Sequence, residues 1–180
     1  SNAGESYVVF GKSYGFSSSL DLSSRDGSTG FSLDGVDAGD GSGYSVSSAG
    51  DVNGDGFSDI IIGAYFADPD GNSNAGESYV VFGKSSGFSA DIDLSSLDGS
   101  NGFRLDGVDA SDYSGTSVSS AGDVNGDGYD DVIIGAYGAD PDGKSSAGES
   151  YVVFGKASGW SSDLDLSSLN GSNGFRLDGV

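Results

Sequence analysis

Ser117-Val118-Ser119-Ser120-Ala121-Gly122-Asp123-Val124-Asn125-Gly126-Asp127-Gly128-Tyr129-Asp130-Asp131-Val132-Ile133-Ile134-Gly135-Ala136 reads as two short strands joined by an acidic loop. The first run is made of small residues and the second of β-branched ones. Asn-Gly and Asp-Gly between them are hairpin formers. The same stretch stands earlier in the chain, around Asp51-Val52-Asn53-Gly54-Asp55-Gly56-Phe57-Ser58-Asp59.

Self-similarity extends well beyond the hairpin. Gly4-Glu5-Ser6-Tyr7-Val8-Val9-Phe10-Gly11-Lys12 recurs unchanged from Gly76 to Lys84 and from Gly148 to Lys156. Residues 37–108 align with 109–180 without gaps, and 1–36 match the second half of that unit. The chain therefore divides into a half repeat, 1–36, and two whole repeats, 37–108 and 109–180. Four short apolar runs fall in the last unit: Ser117–Ser120, Val132–Ala136, Tyr151–Phe154 and Phe175–Leu177. Each is bounded by Gly, Ser, Asp or Asn, and none has the length of an ordinary helix. A short helical turn is expected around Asp163–Leu169, in the long link between the third and fourth runs.

Alternate residues of a strand point to opposite faces. In Tyr151-Val152-Val153-Phe154 and in Val132-Ile133-Ile134 both faces are apolar, so both need cover. Four-stranded antiparallel sheets stacked face to face around an axis, with the small-residue strand innermost, meet that demand. The expected fold is all-β, made of blades of a β-propeller, with two and a half blades present. A Gly-rich β-solenoid is the architectural rival. The half repeat would supply the third and fourth strands of its blade, and its open edge invites pairing with another chain.

In each acidic loop, oxygen donors fall at positions one, three, five and nine, with Gly at position six. Calcium takes six to eight oxygen ligands from a loop that wraps it. The expected ligands are Asp51, Asn53, Asp55, the carbonyl of Phe57, and Asp59, and then Asp123, Asn125, Asp127, the carbonyl of Tyr129, and Asp131. Two Ca²⁺ are expected, one per whole repeat. The pattern departs from an EF-hand, because Ile62 and Ile134 stand where the bidentate Glu would be and strands rather than helices flank the loop. Without a cation these oxygens would repel one another. Asp34, Asp37 and Asp40, repeated as Asp106, Asp109 and Asp112, read as solvated turns or as further calcium sites. So do Asp68 and Asp70, repeated as Asp140 and Asp142.

Composition narrows the function classes. Across 180 residues there are 28 acidic and 7 basic side chains, a net charge of −21, with no His, Cys or Met. Phosphate backbones and anionic membranes call for the opposite sign. Thiolate chemistry, disulfides and His-based triads are excluded by residue type. No apolar run approaches the roughly 18–20 residues of a membrane helix, and no signal peptide is read. Lacking Met, the chain reads as processed, excised or part of something longer. Ser1-Asn2-Ala3 fits a cleavage scar or native repeat, since Ser73-Asn74-Ala75 holds the same phase.

Residues 117–136 resemble the FG-GAP repeat of integrin α-subunit propellers, and more closely the near-identical arrays of bacterial secreted and surface proteins. The resemblance covers essentially the whole chain. It implies a loop between the first two strands of a blade that binds Ca²⁺, in a propeller of about seven blades, with the ligands at the positions named above. Two elements depart from the pattern. Gly63-Ala64-Tyr65 and Gly135-Ala136-Tyr137 replace Gly-Ala-Pro, while Gly43-Tyr44 and Gly115-Thr116 replace Phe-Gly.

No catalytic set is read. Gly11-Lys12-Ser13-Tyr14-Gly15 matches a nucleophile-elbow pattern, but no His exists to act as base. The acidic pairs repeat with the scaffold. Trp160, standing where Phe16 and Phe88 do, reads as a hydrophobic plug or as a sugar-stacking platform. The sequence thus points to a non-enzymatic, calcium-binding extracellular or cell-surface module for adhesion or scaffolding. The alternatives are a self-assembling fibre or ring subunit and a carbohydrate-binding accessory domain of a secreted hydrolase. Expected partners are other copies of the repeat, in the same chain or by self-association, and a protein or glycan ligand. Neither nucleic acid nor membrane insertion is expected.

Overall fold

The structure is a computed structural model that describes residues 3–180; Ser1 and Asn2 of the first tripeptide lie outside them. Among the described residues it is built of twelve strands and five single-turn 3₁₀ segments. The strands are β1 (Glu5–Val9), β2 (Gly30–Asp34), β3 (Ser45–Gly50), β4 (Asp59–Ala64), β5 (Glu77–Val81) and β6 (Asp91–Asp93). They continue as β7 (Gly102–Asp106), β8 (Ser114–Gly122), β9 (Asp131–Ala136), β10 (Glu149–Val153), β11 (Asp163–Asp165) and β12 (Gly174–Asp178).

Three sheets result, in the orders β1-β2-β6, β3-β4-β5-β7-β11 and β8-β9-β10-β12. Pairing of β3, β4, β5 and β7 is antiparallel, as is that of β8, β9, β10 and β12. These are partial β-propeller blades: separate up-and-down sheets, not the coils of a solenoid. The strands extend past the apolar runs that mark them in the sequence. The small-residue run Ser117–Ser120, for instance, is the middle of the longer β8.

The expectation of four-stranded sheets is corrected at the outer edge. Short β6 runs parallel to β2, with Leu33 opposite Ile92, and β11 runs parallel to β7, with Leu105 opposite Leu164. Each of these outer strands comes from the long link of the following repeat. Two more bonds extend the pairing, Ser32 N–H to the Ala90 carbonyl at 2.9 Å and Arg104 N–H to the Ser162 carbonyl at 2.8 Å. The helical turn expected over Asp163–Leu169 is accordingly half strand and half turn. Asp165 ends β11, and its carboxylate accepts the Ser167 N–H at 2.7 Å, capping the 3₁₀ turn Leu166–Ser168.

Both faces of the middle sheet are buried, as the alternation of β4 and β5 requires. Ile61 and Val80 face one core, which they share with Val132, Ile134 and Val153 of the next sheet. Ile62, Tyr79 and Val81 face the other, against Phe31 and Leu33. Burying a side chain of this size contributes about 1.5–3 kcal/mol, so two dry interfaces hold the three sheets in a stack. Aromatic pairs seal each outer rim. Phe88 stacks on Phe31 at 4.2 Å and Trp160 on Phe103 at 4.0 Å, with interplanar angles of 16° and 8°.

Small residues let adjacent sheets touch backbone to backbone. A Cβ placed on Gly63 of β4 would sit 1.9 Å from the Gly115 carbonyl oxygen of β8, whereas at Gly135 of β9 its nearest neighbour would be 3.7 Å away. Gly63→Ala should therefore force the sheets apart, at a cost of about 1–3 kcal/mol and roughly 3–10 °C in Tm. Gly135→Ala should leave thermal unfolding nearly unchanged. Parallel melts of the two variants, followed by circular dichroism, check this.

Candidate metal centre

Each acidic loop leaves the end of a small-residue strand and returns into the Ile-rich one. The loop of residues 51–58 joins β3 to β4, and that of 123–130 joins β8 to β9. Gly54 and Gly56 take φ of 73° and 88°, and Gly126 and Gly128 take 78° and 93°. This left-handed conformation folds the loop back on itself and is open chiefly to Gly.

Within that fold the first three side-chain donors come together. Asp51 accepts the Asp55 N–H at 3.0 Å and the Gly56 N–H at 2.9 Å. Asn53 accepts the same Asp55 N–H at 2.9 Å, while its amide donates to the Asp55 carboxylate at 3.1 Å. Asp55 in turn accepts the Phe57 N–H at 2.9 Å. The second loop repeats the arrangement with Asp123, Asn125 and Asp127. Asp127 N–H reaches both Asp123 and Asn125 at 3.0 Å, Gly128 N–H reaches Asp123 at 2.9 Å, and Tyr129 N–H reaches Asp127 at 3.0 Å.

The ninth position is different. Asp59 and Asp131 are almost fully buried. Asp59 accepts the Val52 N–H and, from beyond β5, the Gly83 N–H, both at 2.8 Å. Asp131 does the same with Val124 at 2.8 Å and Gly155 at 2.9 Å. This carboxylate thus pins the loop to the strand behind it. Burial pushes the Asp59 carboxyl up to about 6, although the N–H groups of Gly83 and Val52 oppose the shift. That anchoring role is not written in the spacing, which counts Asp59 and Asp131 only as donors.

Among the described residues, no three acidic side chains converge into a metal centre made of carboxylates alone. The donor set nonetheless fits a hard cation in kind: Asp and Asn oxygens with one backbone carbonyl, and neither nitrogen nor sulfur ligands. The loop carboxylates also lack a cationic partner. Every ion pair among the described residues involves Arg25, Arg104 or Arg176, and none reaches Asp51, Asp55, Asp123 or Asp127.

Asp37, Asp40, Asp68 and Asp70, with their repeats Asp109, Asp112, Asp140 and Asp142, lie toward the opposite end of the sheets. Asp109, Asp112, Asp140, Asp142, Glu149 and Arg176 line a groove of about 560 Å³. Asp112 is buried there and pushed up to about 6, first by desolvation and then by Asp109, Glu149 and Asp140. Its counterpart Asp40 is raised for the same leading reason. Glu77 and Glu149 are tied to Tyr79 and Tyr151 by hydrogen bonds and to Arg104 and Arg176 by ion pairs. Glu77 and Glu149 are thus held as partners of strand residues.

An aromatic row at this end was not anticipated. Tyr44, Tyr65, Phe66, Tyr113 and Tyr137 follow one another with centroid spacings of 4.4, 4.0, 6.0 and 5.2 Å. The signal for it was Tyr65 and Tyr137 in place of Pro after Gly-Ala. Trp160 is the plug of the two readings: one face lies on Phe103, and its Nε1–H donates to the Lys156 carbonyl at 3.1 Å.

A family model described as FG-GAP repeat matches residues 42–81 and 114–153. Integrin alpha-PS2 of Drosophila melanogaster is 32% identical over 133 residues, which is 72% of this chain and 9% of that protein. The chain thus spans less than a tenth of the length of this curated relative. It carries two FG-GAP repeats of the integrin α type, and the matched segments contain both acidic loops.

Two outcomes follow from this geometry. Asp131→Ala strands one buried and one partly buried N–H group and should cost about 2–4 kcal/mol even in chelator. Asp123→Ala, at an exposed position, should cost no more than about 1.5 kcal/mol under those conditions; urea unfolding in EDTA compares the two. The raised Asp112 means that the folded state holds an extra proton between about pH 4 and 6. Its contribution is therefore lost as pH rises through that window. Asp112→Asn, which keeps an acceptor for the Asp109 N–H, should raise Tm by a few degrees at pH 7 and flatten its fall between pH 4 and 6.5.

Proposed function

We propose that this FG-GAP repeat chain is a non-enzymatic, calcium-stabilised extracellular module for adhesion or scaffolding. The observation that carries the reading is the pair of loops whose gathered carboxylates have no cationic side chain. Asp51, Asn53, Asp55 and the Phe57 carbonyl would hold one ion, and Asp123, Asn125, Asp127 and the Tyr129 carbonyl the other. Asp59 and Asp131 would complete each donor set, and they keep the loop fastened to the next strand. When bound, Ca²⁺ supplies the positive charge that the sequence withholds, offsetting mutual repulsion and fixing the hairpin. Nothing in this role breaks a covalent bond. The acids recur with the scaffold, as structural elements do, whereas a catalytic pair would be unique.

Support for the adhesive setting comes from the integrin α likeness and from a strongly acidic surface, which suits calcium-rich surroundings. Protein recognition is the expected use of such a surface, and export the expected destination. The glycan-binding alternative loses its anchor, because the Trp160 ring is spent on packing.

Affinity in the range of extracellular sites is about 10⁻⁴–10⁻³ M. At 10 mM Ca²⁺ each site would then stabilise the fold by about 1.4–2.7 kcal/mol. Two sites should raise Tm by roughly 5–15 °C over the value in EDTA. Asp51→Ala combined with Asp123→Ala should abolish that rise, and isothermal titration should count two ions on the wild type and none on the double variant. A melting curve indifferent to calcium would overturn the proposal.

A further inference from the structure

A side-chain amide is most easily lost where Asn precedes Gly, because Gly puts no side chain in the way of its own backbone nitrogen. Asn53, Asn101, Asn125, Asn170 and Asn173 all precede Gly. The sequence does not rank them, and the fold does. Reaction requires a side-chain carbonyl turned toward the glycine that follows, a glycine N–H that is free, and access for solvent.

Asn101 and Asn173 fail the first and last conditions. Their side chains turn back along the chain. Asn101 accepts the Asp98 N–H at 3.0 Å and donates to the Ser96 carbonyl at 3.1 Å; Asn173 accepts the Asn170 N–H at 3.0 Å and donates to the Ser168 carbonyl at 3.3 Å. Gly102 and Gly174, which open β7 and β12, are buried. Asn170 turns forward and accepts the Ser172 N–H at 3.0 Å, but Gly171 N–H is engaged by the Gly174 carbonyl at 2.8 Å. Asn125 also turns forward, to Asp127 N–H at 3.0 Å, but Gly126 N–H is engaged by the Asp123 carboxylate at 2.7 Å.

Asn53 meets all three conditions. Its oxygen accepts the Asp55 N–H at 2.9 Å, which curls the side chain forward past Gly54 and polarises its carbonyl. Among the described residues Gly54 N–H donates to no acceptor, although its neighbours Asp55 and Gly56 both donate to Asp51. Gly54 is exposed, and the Tyr129 ring of the following repeat lies against its Cα.

We propose that Asn53 is the site at which this chain deamidates. The Gly54 nitrogen bonds to Cγ of Asn53 and closes a cyclic imide. The Cγ–Nδ2 bond breaks, and ammonia leaves with the proton that the Gly54 nitrogen gives up. Water then opens the ring. Opening at Cγ yields an aspartate, and opening at the backbone carbonyl yields an isoaspartate, whose chain runs through the side chain. Water is the only reagent consumed, and nothing is oxidised or reduced. Either product removes the amide that donated to the Asp55 carboxylate at 3.1 Å and adds a negative charge, so attraction becomes repulsion. The loop then leans harder on a cation; that consequence, unlike the reaction, rests on the calcium reading.

Peptide mapping by mass spectrometry tests the assignment, on the whole chain aged in warm, mildly alkaline EDTA buffer. The peptides that carry the Asn-Gly pairs differ in sequence and are read separately. Asn53 should lose ammonia first, with the other four slower by roughly two- to tenfold, the factor for breaking one hydrogen bond. In urea the ranking should vanish, because its cause is the fold. Any other pair that keeps pace with Asn53 in the folded chain overturns the proposal, and so does an Asn53 that still leads in urea. Asn53→Asp reads the consequence alone: its Tm should fall below the wild type in EDTA and recover in calcium. A wild type whose melting ignores calcium would sink the metal reading, while the peptide map would still decide the site.

Discussion

Strands that are apolar on both faces cannot stand at a water boundary, and the architecture follows from satisfying that one demand. Ile61 and Ile62 are adjacent in β4 and point opposite ways into different cores. A sheet built around them must be the middle of a stack. Stacked sheets converge on their innermost strands, which explains the Ser, Ala and Gly of β3 and β8 and the close meeting of Gly63 with Gly115. At the outer rim the sheets splay apart. There larger plugs are needed, and Phe88 and Trp160 supply them. Small inside and aromatic outside is therefore one taper, expressed twice in the sequence.

Much of this was legible because the information is local and periodic. Strand positions follow from β-branched runs between Gly and Asn, and the drawing together of Asp51, Asn53 and Asp55, or Asp123, Asn125 and Asp127, follows from their alternate spacing. What escaped the sequence was long-range. Asp91-Ile92-Asp93 is too short and too polar at its ends to read as a strand, and it becomes one only because the edge of β2 is offered to it by the preceding repeat. The ninth loop position looked like one more oxygen donor. Only the fold brings Gly83 N–H within reach of Asp59, from 24 residues along the chain. The aromatic row assembles side chains from two neighbouring blades, which no window of sequence displays together.

Consecutive acidic loops are also fastened to each other. Asp130, the eighth residue of the second loop, accepts the Asp51 N–H through its carboxylate at 2.8 Å and donates its own N–H to the Asp51 carbonyl at 3.1 Å. Lys156 N–H reaches the Val52 carbonyl at 2.9 Å. The residue that begins one donor set is thus held in place by the loop of the next blade. In a repeat protein, stability is a sum of unit terms and nearest-neighbour interfaces. Here the interface term and the loop term share a residue. Whatever fixes Asp51 also fixes its contact with Asp130, and the adjacent Val52 is buried in the core shared with the next sheet.

The position that makes this contact is also one of the few at which the two whole repeats differ. Ser58 stands where Asp130 does, and it borders a groove of about 760 Å³ beside β1, together with Phe57, Ile60 and Phe31. In the second loop the corresponding Tyr129 ring lies over Gly54, where a Cβ would come within 2.4 Å of it. A loop that packs on a neighbour carries Asp and Tyr at these two places, and a loop that faces a groove carries Ser and Phe. Near-identical repeats thus keep the donors constant and vary the residues between blades. The acidic loop belongs to the repeat, and the packing between neighbouring blades belongs to the differences.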